Sequence, residues 1–340
     1  MAIPVYNDLD LLGASKLTGL AAPTLGADAV NKTYADTAAG VSGDVQFNNA
    51  GVGAGAANVK IEGGNLRLVN TTDPVAPVSG LILYSKSIAG KSLPKTIGPS
   101  GIDTYLQSAL HGNSVFQISP SNTTGVNLIG GQVSAAATIS HVQTIASANP
   151  FQATRRVRAS TTGTAGNAAG IRTPYGQWFL GNAAGFGGFF FRAQIGMSIN
   201  LAGGQKFCGM MSGIAPLGGD PSALINMIGM GYDAADASTG NWFFLRNDGV
   251  GVATKVDLGT GAARNINDGY DLIMFARPNS TQIFVRITNL QTGTVVLDTS
   301  YTTDTPTVNT GLTFTWQVRN GAVAAGDSID IAKAYIETDF

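Results

Sequence analysis

Between residue 150 and residue 340, apolar residues recur in short alternating runs that return to a turn almost as soon as they start. In "TQIFVRITN", Ile283, Val285 and Ile287 fall on one side of an extended chain, and Gln282, Phe284, Arg286 and Thr288 on the other. "GGFFFRAQIGMSI", "QKFCGMM", "ALINMIGMGY", "NWFFLR", "VATKVDL", "YDLIMFA", "GTVVLDTSY", "LTFTWQV" and "SIDIAKAYIE" behave alike, each bounded by Gly, Asn, Asp or Pro. Short strands joined by short polar turns predict two packed antiparallel sheets across 150–340.

Upstream the pattern thins. Residues 41–149 read as a β-rich connecting region: "DVQFN", "NVKIE" and "NLRLV" are strand-like, and Gly63 and Gly64 supply the positive φ of a two-residue hairpin loop. "LILYS" predicts a strand, Pro74, Pro77, Pro94 and Pro99 break the region, and "TISHVQTI" alternates as a linking strand. One short helix is predicted in "IDTYLQSALHG", with Asp103 as N-cap, Leu106 and Leu110 on one face and Gly112 past its end. Residues 1–40 form a third region, with scattered Leu9, Leu11, Leu12, Leu17 and Leu20 before another short helix from Asp28 to Asp36. There Asp28 caps, and Val30 and Tyr34 share a face. A helix of that length does not persist alone, so it is expected to pack on something outside itself.

Composition sharpens this picture. Glycine stands at 45 residues, about twice the usual share, and charged residues make up only 12%. Nineteen of the 21 acidic residues are Asp, the only glutamates being Glu62 and Glu337, which favours caps and turns over helix interiors. The chain is therefore mainly β. A net charge of -1 with one basic cluster, Arg155, Arg156 and Arg158, lacks the stripe a nucleic-acid partner requires, and the cluster reads as a solvated strand face. The single cysteine, Cys208, lies in an apolar strand and reads as a buried small hydrophobe. No apolar run approaches the length that crosses a bilayer and no secretory signal opens the chain, so membrane insertion is not expected and synthesis in the cytosol is.

The raw materials for catalysis are thin. His111 and His141 are far apart, no zinc-ligand spacing is present, and "LILYSKSIAGKS" fails as a phosphate loop because Ser85 replaces its first glycine and Leu93 and Pro94 replace its helix. No catalytic residue, metal site or cofactor is assigned. Ligand binding has a better case. "GYDAADASTGNWFFLRNDG" gathers Tyr232, Asp233, Asp236, Asn241, Trp242, Asn247 and Asp248, an aromatic and planar-polar mix that suits sugars. Trp178, Trp242 and Trp316 are possible stacking platforms, although the Phe243, Phe244 and Leu245 that follow Trp242 favour core packing for its ring. Asp233 and Asp236 could ligate calcium, but turn capping is the better assignment.

"LTGLAAPTLGADAVNKTYAD" resembles an element near the start of tailed-bacteriophage fibres, in which a proline turn leads to an Asn-Lys-x-Tyr-x-Asp helix. Leu20, Pro23, Asp28, Ala29, Asn31, Lys32, Tyr34 and Asp36 match, and Ala35 stands where a larger aliphatic is usual. "GDVQFNNAG", "SIAGKSLPKTIGPSGIDTYLQSAL", "IGMGYDAADASTGNWFFLRNDGVGVATKVDLG" and "YDLIMFARPNS" are similar to phage fibre or decoration proteins ending in a lectin-like sandwich. The resemblance implies a virion protein made in the host cytoplasm, with a short anchor (1–40), a trimeric β-rich stalk (41–149) and a jelly-roll, concanavalin-A-like head (150–340). It implies a homotrimer centred on Val30 and Tyr34, another virion protein as partner of 1–40, and a bacterial surface glycan as ligand of the head. A capsule-degrading enzyme is the disfavoured alternative, and a head or neck decoration fibre with a chiefly structural role is the stronger one.

Overall fold

The computed structural model describes residues 44–49, 52–99, 103–105, 114–120, 126–129, 138–184, 186–236 and 240–338. The expected helix at Asp28–Asp36, with Val30 and Tyr34, lies outside them. By internal contacts the chain forms two units, Met1–Lys86 with Pro94–Tyr105, and Ser87–Leu93 with Leu106–Phe340. The expected boundary at 149/150 is not where the contacts divide, because strands from the supposed connecting region complete a sheet of the second unit.

Two three-stranded antiparallel sheets come before the sandwich strands in the chain, and the hairpin tip of the second, Ser87–Leu93, is counted with the second unit. One is β1 (Asp44–Asn49), β2 (Val52–Glu62) and β3 (Asn65–Leu68); the other is β4 (Ile82–Ile88), β5 (Lys91–Ile97) and β6 (Asp103–Tyr105). The β2–β3 turn is the predicted glycine pair: Gly63 and Gly64 both take positive φ (55° and 78°) and Glu62 faces Asn65. That register sets Ile61 opposite Leu66 and Val59 opposite Leu68, with Lys60, Glu62 and Arg67 on the reverse side. The aliphatic side is bare, Ile61 and Leu66 being 51% and 61% exposed. The predicted N-cap at Asp103 is corrected: Asp103 and Thr104 pair with Ile97 and Thr96 across a short hairpin, so the backbone there is extended, while Leu106, Leu110 and Gly112 of the expected helix lie outside the described residues. Beside β4, Asp73 accepts from Tyr84 (3.0 Å), Lys95 (3.3 Å) and Lys86. Burial works to raise the Asp73 carboxyl, but those donors outweigh it and hold the group below the ordinary value.

The second unit is a sandwich. Its strands are β7 (Ser114–Pro120), β8 (Val126–Ile129), β9 (Thr138–Val142), β10 (Arg156–Ser160), β11 (Ala168–Arg172), β12 (Phe189–Ile199), β13 (Gln205–Met211) and β14 (Met227–Tyr232). They continue as β15 (Phe243–Asn247), β16 (Thr254–Asp257), β17 (Gly269–Ala276), β18 (Ile283–Asn289), β19 (Val295–Tyr301), β20 (Thr313–Arg319) and β21 (Ser328–Thr338). Nine strands form one antiparallel sheet in the order β19-β18-β17-β12-β21-β10-β9, with β7 and β8 branching from β21. Six form the other, β11-β20-β13-β14-β15-β16. The branch arises because Ser328–Ile331 pair with β10 and Ala334–Thr338 with β7.

Alternation explains the core. Ile283, Val285 and Ile287 are sealed between the sheets as their spacing predicts, together with Phe191, Met210, Met230, Phe314, Trp316 and Ile331. Phe116 and Ile118 of β7 belong to the same core, Phe116 packing against Trp178 and Phe314 at 5.8 and 5.0 Å between ring centroids. Cys208 is buried there, and burial pushes its thiol well above the usual range.

On the nine-stranded sheet, the one-turn helix α1 (Pro150–Ala153), capped by Asn149, seats Phe151 over Gly196 and Gly269. A Cβ at Gly269 would stand 2.2 Å from the Phe151 ring, so glycine makes the seat. The basic cluster is corrected here: Arg156 is buried, lies over Phe151, and shares Asp330 with Arg158 (3.2 and 3.0 Å). It is internal wiring, not a solvated face.

On the outer side of the six-stranded sheet, segment 212–226 lays Leu217 and Leu224 against Phe207, Met211, Met227 and Leu245. Gln317 accepts from the Leu217 amide at 2.6 Å, and Asp220 accepts from Gln205 (2.6 Å) and the Ala234 amide (2.7 Å). This strap covers that face.

Candidate functional site

The seven residues read from sequence as a ligand set do not converge. Strands β14 and β15 pair with Gly231 opposite Phe243 and Met227 opposite Asn247, so Tyr232, Asp233, Asp236, Asn241 and Trp242 gather at one end of the pair, Asn247 and Asp248 at the other. Asn247 is fully buried, donating to Leu224 O and Gly251 O at 3.0 and 3.3 Å, and Asp248 caps its own turn through the Gly249 and Val250 amides.

At the first end the two rings are core groups. Tyr232 and Trp242 have no solvent exposure and meet edge to face at 5.1 Å, and Trp242 packs on toward Tyr270 at 6.2 Å. Trp178 and Trp316 are equally enclosed, so none of the three tryptophans offers a stacking face to a ligand. Both rings continue the inward alternation of their strands, Tyr232 after Ile228 and Met230 and Trp242 before Phe244, and so face the core between the sheets.

The carboxylates close on a lysine from the next strand. Lys255 donates to Asp236 at 2.7 and 2.8 Å and to Asp233 at 3.0 Å, with its ammonium 4.5 Å from the centre of the Phe243 ring. Burial would lower the Lys255 ammonium, but hydrogen bonds to Asp236 and then Asp233 outweigh it and raise the group above its ordinary value. Asp233 also accepts from the Ser222 amide at 2.9 Å, which pins the strap. The pair offered as calcium ligands is thus committed to a cation of the chain itself. Among the described residues no three His, Cys, Asp or Glu gather as a metal site. Asn241 remains at the rim, bonded to Asp257 at 2.8 Å.

Beneath this rim lies chemistry that the sequence reading missed. Lys206 and Asp327 are both fully buried and meet through both carboxylate oxygens at 2.6 Å. Burial raises the Asp327 carboxyl, and Lys206 opposes that rise. Lys206 lies 5.4 Å from the Tyr232 ring centre, and Arg264 stacks on the same ring at 4.2 Å. The phenol is pushed upward by burial and stays neutral. Lys206 carried a visible signal, a charge at an inward position of an apolar strand; Arg264, inside "GAARNINDG", carried none.

No protein-family model matches the sequence, and no curated protein matches it. Among solved structures, the chain is similar to peanut lectin with a nonapeptide (11% identity, TM-score 0.40, 66% of this chain and 97% of that one). It is similar to lectin I of Ulex europaeus with the methyl glycoside of α-L-fucose (11%, 0.40, 66% and 98%). It is also similar to an endo-β-1,4-glucuronan lyase of the fungus Trichoderma reesei (11%, 0.38, 61% and 89%). No residue role is carried over from them. The chain's own strand order defines it as a two-sheet antiparallel β-sandwich preceded by small β-sheets.

Proposed function

We propose that this chain is a homotrimeric fibre of a tailed bacteriophage, its residues 1–40 attached to another virion protein and its sandwich binding a carbohydrate of the host surface. The observation that carries the assembly is the aliphatic side of the β2–β3 hairpin, where Ile61 and Leu66 are exposed and Val59 and Leu68 half-buried. Leaving such a face wet forfeits ~25 cal/mol for each Å² that burial would remove from solvent. Two further copies turned about a common axis would cover it. The likeness of "LTGLAAPTLGADAVNKTYAD" to fibre anchors supports the placement of residues 1–40.

For the head, the polar loops at the Tyr232 end support recognition of single or terminal sugars, and the strap 212–226 covers the outer face of the six-stranded sheet. Threefold avidity would make weak single sites sufficient for adhesion. The role is binding without bond cleavage, and release of reducing ends from host polysaccharide by the purified chain would overturn that part. One observation favours the second reading, a head or neck decoration fibre: Tyr232, Trp242, Asn247, Asp233 and Asp236 are all used internally.

Mass measurement of the full chain in solution tests the assembly, with a trimer expected and a concentration-independent monomer overturning it. A glycan array probed with the trimer tests the head. A blank array, with normal adsorption of virions lacking the protein, would leave the decoration reading in its place.

A further inference from the structure

The Tyr232 ring separates two cations that differ in what balances them. Lys206 is neutralised by both oxygens of Asp327. Arg264 is 5% exposed, its Nε and Nη2 are shut away from solvent, and neither has an acceptor among the described residues. The carboxylates of the surrounding loops are engaged elsewhere. Asp327 is held by Lys206 and the Ser328 amide, Asp233 and Asp236 by Lys255, Asp257 by Asn241, and Asp268 by Asn265 and Asn289. The indole Nε1 of Trp242, whose ring packs on Tyr232, is a further buried donor without an acceptor. Of the two cations that touch this one ring, then, Lys206 is paired with a carboxylate and Arg264 is not.

A guanidinium buried without an acceptor is among the most costly arrangements a fold can hold, and its remedy is an acceptor supplied from outside. We infer that Arg264 anchors an anion site at this end of the sandwich and that its ligand is the carboxylate of an acidic sugar. The inference deepens the carbohydrate reading and rests on it. The planar fork of a guanidinium matches the two oxygens of a carboxylate, which a compact ammonium does not. The guanidinium carbon sits 4.2 Å from the Tyr232 ring centre, which holds the group against the ring. The backbone fixes its position: the Arg264 amide donates to Gly240 O at 3.0 Å, and its carbonyl accepts from Asn200 Nδ2 at 3.2 Å.

The test titrates the full chain, at fixed ionic strength, with methyl glucuronoside and a methyl sialoside, with the uncharged methyl ester of each, with methyl glucoside and with sodium acetate. Binding is read by calorimetry and tryptophan fluorescence. At least one acid is expected to bind tenfold or more tightly than its ester, to weaken as salt rises, and to lose at least tenfold in Arg264→Gln, with Arg264→Lys between. Equal affinity for acid and ester overturns the inference while leaving the carbohydrate reading in place. Acetate as strong as the sugar acids overturns the assignment to a sugar. Binding of none of the probes overturns the inference, and a blank glycan array beside it removes the reading underneath. The acid and ester comparison uses the unaltered chain, so it decides the matter even if Arg264→Gln fails to fold.

Discussion

The two units solve the same problem in opposite ways. In the sandwich, period-two alternation puts Ile283, Val285 and Ile287 inside, and a second sheet, a strap and the branch strands cover what remains. In the first unit the same alternation puts Val59, Ile61, Leu66 and Leu68 on one side of a hairpin, where Ile61 and Leu66 stay largely in water. A strand pattern therefore specifies a face and leaves open what covers it. Where the cover is another part of the chain the unit is complete; where it is not, the face is the one that the proposed trimer would bury.

The sharpest way to break this contrast is to cut the chain. A fragment of residues 150–340 lacks β7, β8 and β9 and loses Phe116 and Ile118 from the core. Emptying one buried phenylalanine site costs about 3–5 kcal/mol, against a whole-domain stability of about 5–15. That fragment is expected to aggregate or show no cooperative melt by circular dichroism, whereas 87–340 melts like the full chain. Equal melts for both fragments would mean that the core closes without the branch strands.

Next in size is the buried pair beneath Tyr232. Lys206→Met leaves Asp327 buried without a counter-charge and is expected to cost about 3–5 kcal/mol in urea unfolding. Lys206→Met with Asp327→Leu together should recover most of that loss, because the cost lies in the orphaned charge. A double variant no better than the single one would show that the pair holds the β13 and β21 ends through geometry no apolar pair supplies.

Much of this fold was legible because the signals are local. Each predicted strand of the sandwich is present, and the Gly63–Gly64 turn was readable from two adjacent residues. What failed depended on contacts that the local signal does not name. Asp103 satisfies every local rule for an N-cap, yet it pairs with Ile97 across a hairpin. Tyr232 and Trp242 sit beside polar turns, the usual address of a binding aromatic, yet they continue the inward alternation of Ile228 and Met230 and of Phe244, which makes them core. The Arg264 arrangement was invisible for the same reason: Lys206 meets Asp327 across 121 positions, and Arg264 has two buried nitrogens, Nε and Nη2, without an acceptor among the described residues, where Arg155 and Arg246 each have one.

The Lys255 clamp gives a smaller, pH-dependent effect on the sandwich side of the comparison. Its ammonium is raised in the folded chain, so the stability it contributes is fully present below the ordinary lysine value and is lost as pH rises through the elevated one. Partly exposed pairs of this kind are worth on the order of 1 kcal/mol. Lys255→Met should flatten that alkaline decline and increase amide exchange at Ser222 and Ala234, whose loops the carboxylates pin. Unchanged exchange at both would show that the strap is held by Leu217 and Leu224 alone.

The smallest effect on the chain by itself is expected where the apolar face is bare. Leu66→Ser removes a side chain that is already 61% in water, so single-chain unfolding should shift by no more than about 0.5 kcal/mol. In an assembly that buries this face the same substitution is felt in every copy, and the mass measured across a dilution series should fall toward the monomer at concentrations where the unaltered chain holds together. Arg67→Ser, on the reverse side and paired with Glu62 in an exposed ion pair at 2.8 Å, should leave the dilution curve where it was. A shift with Arg67→Ser and none with Leu66→Ser would place the contact on the polar side of the hairpin, and the contrast between a covered and an uncovered face would lose its meaning.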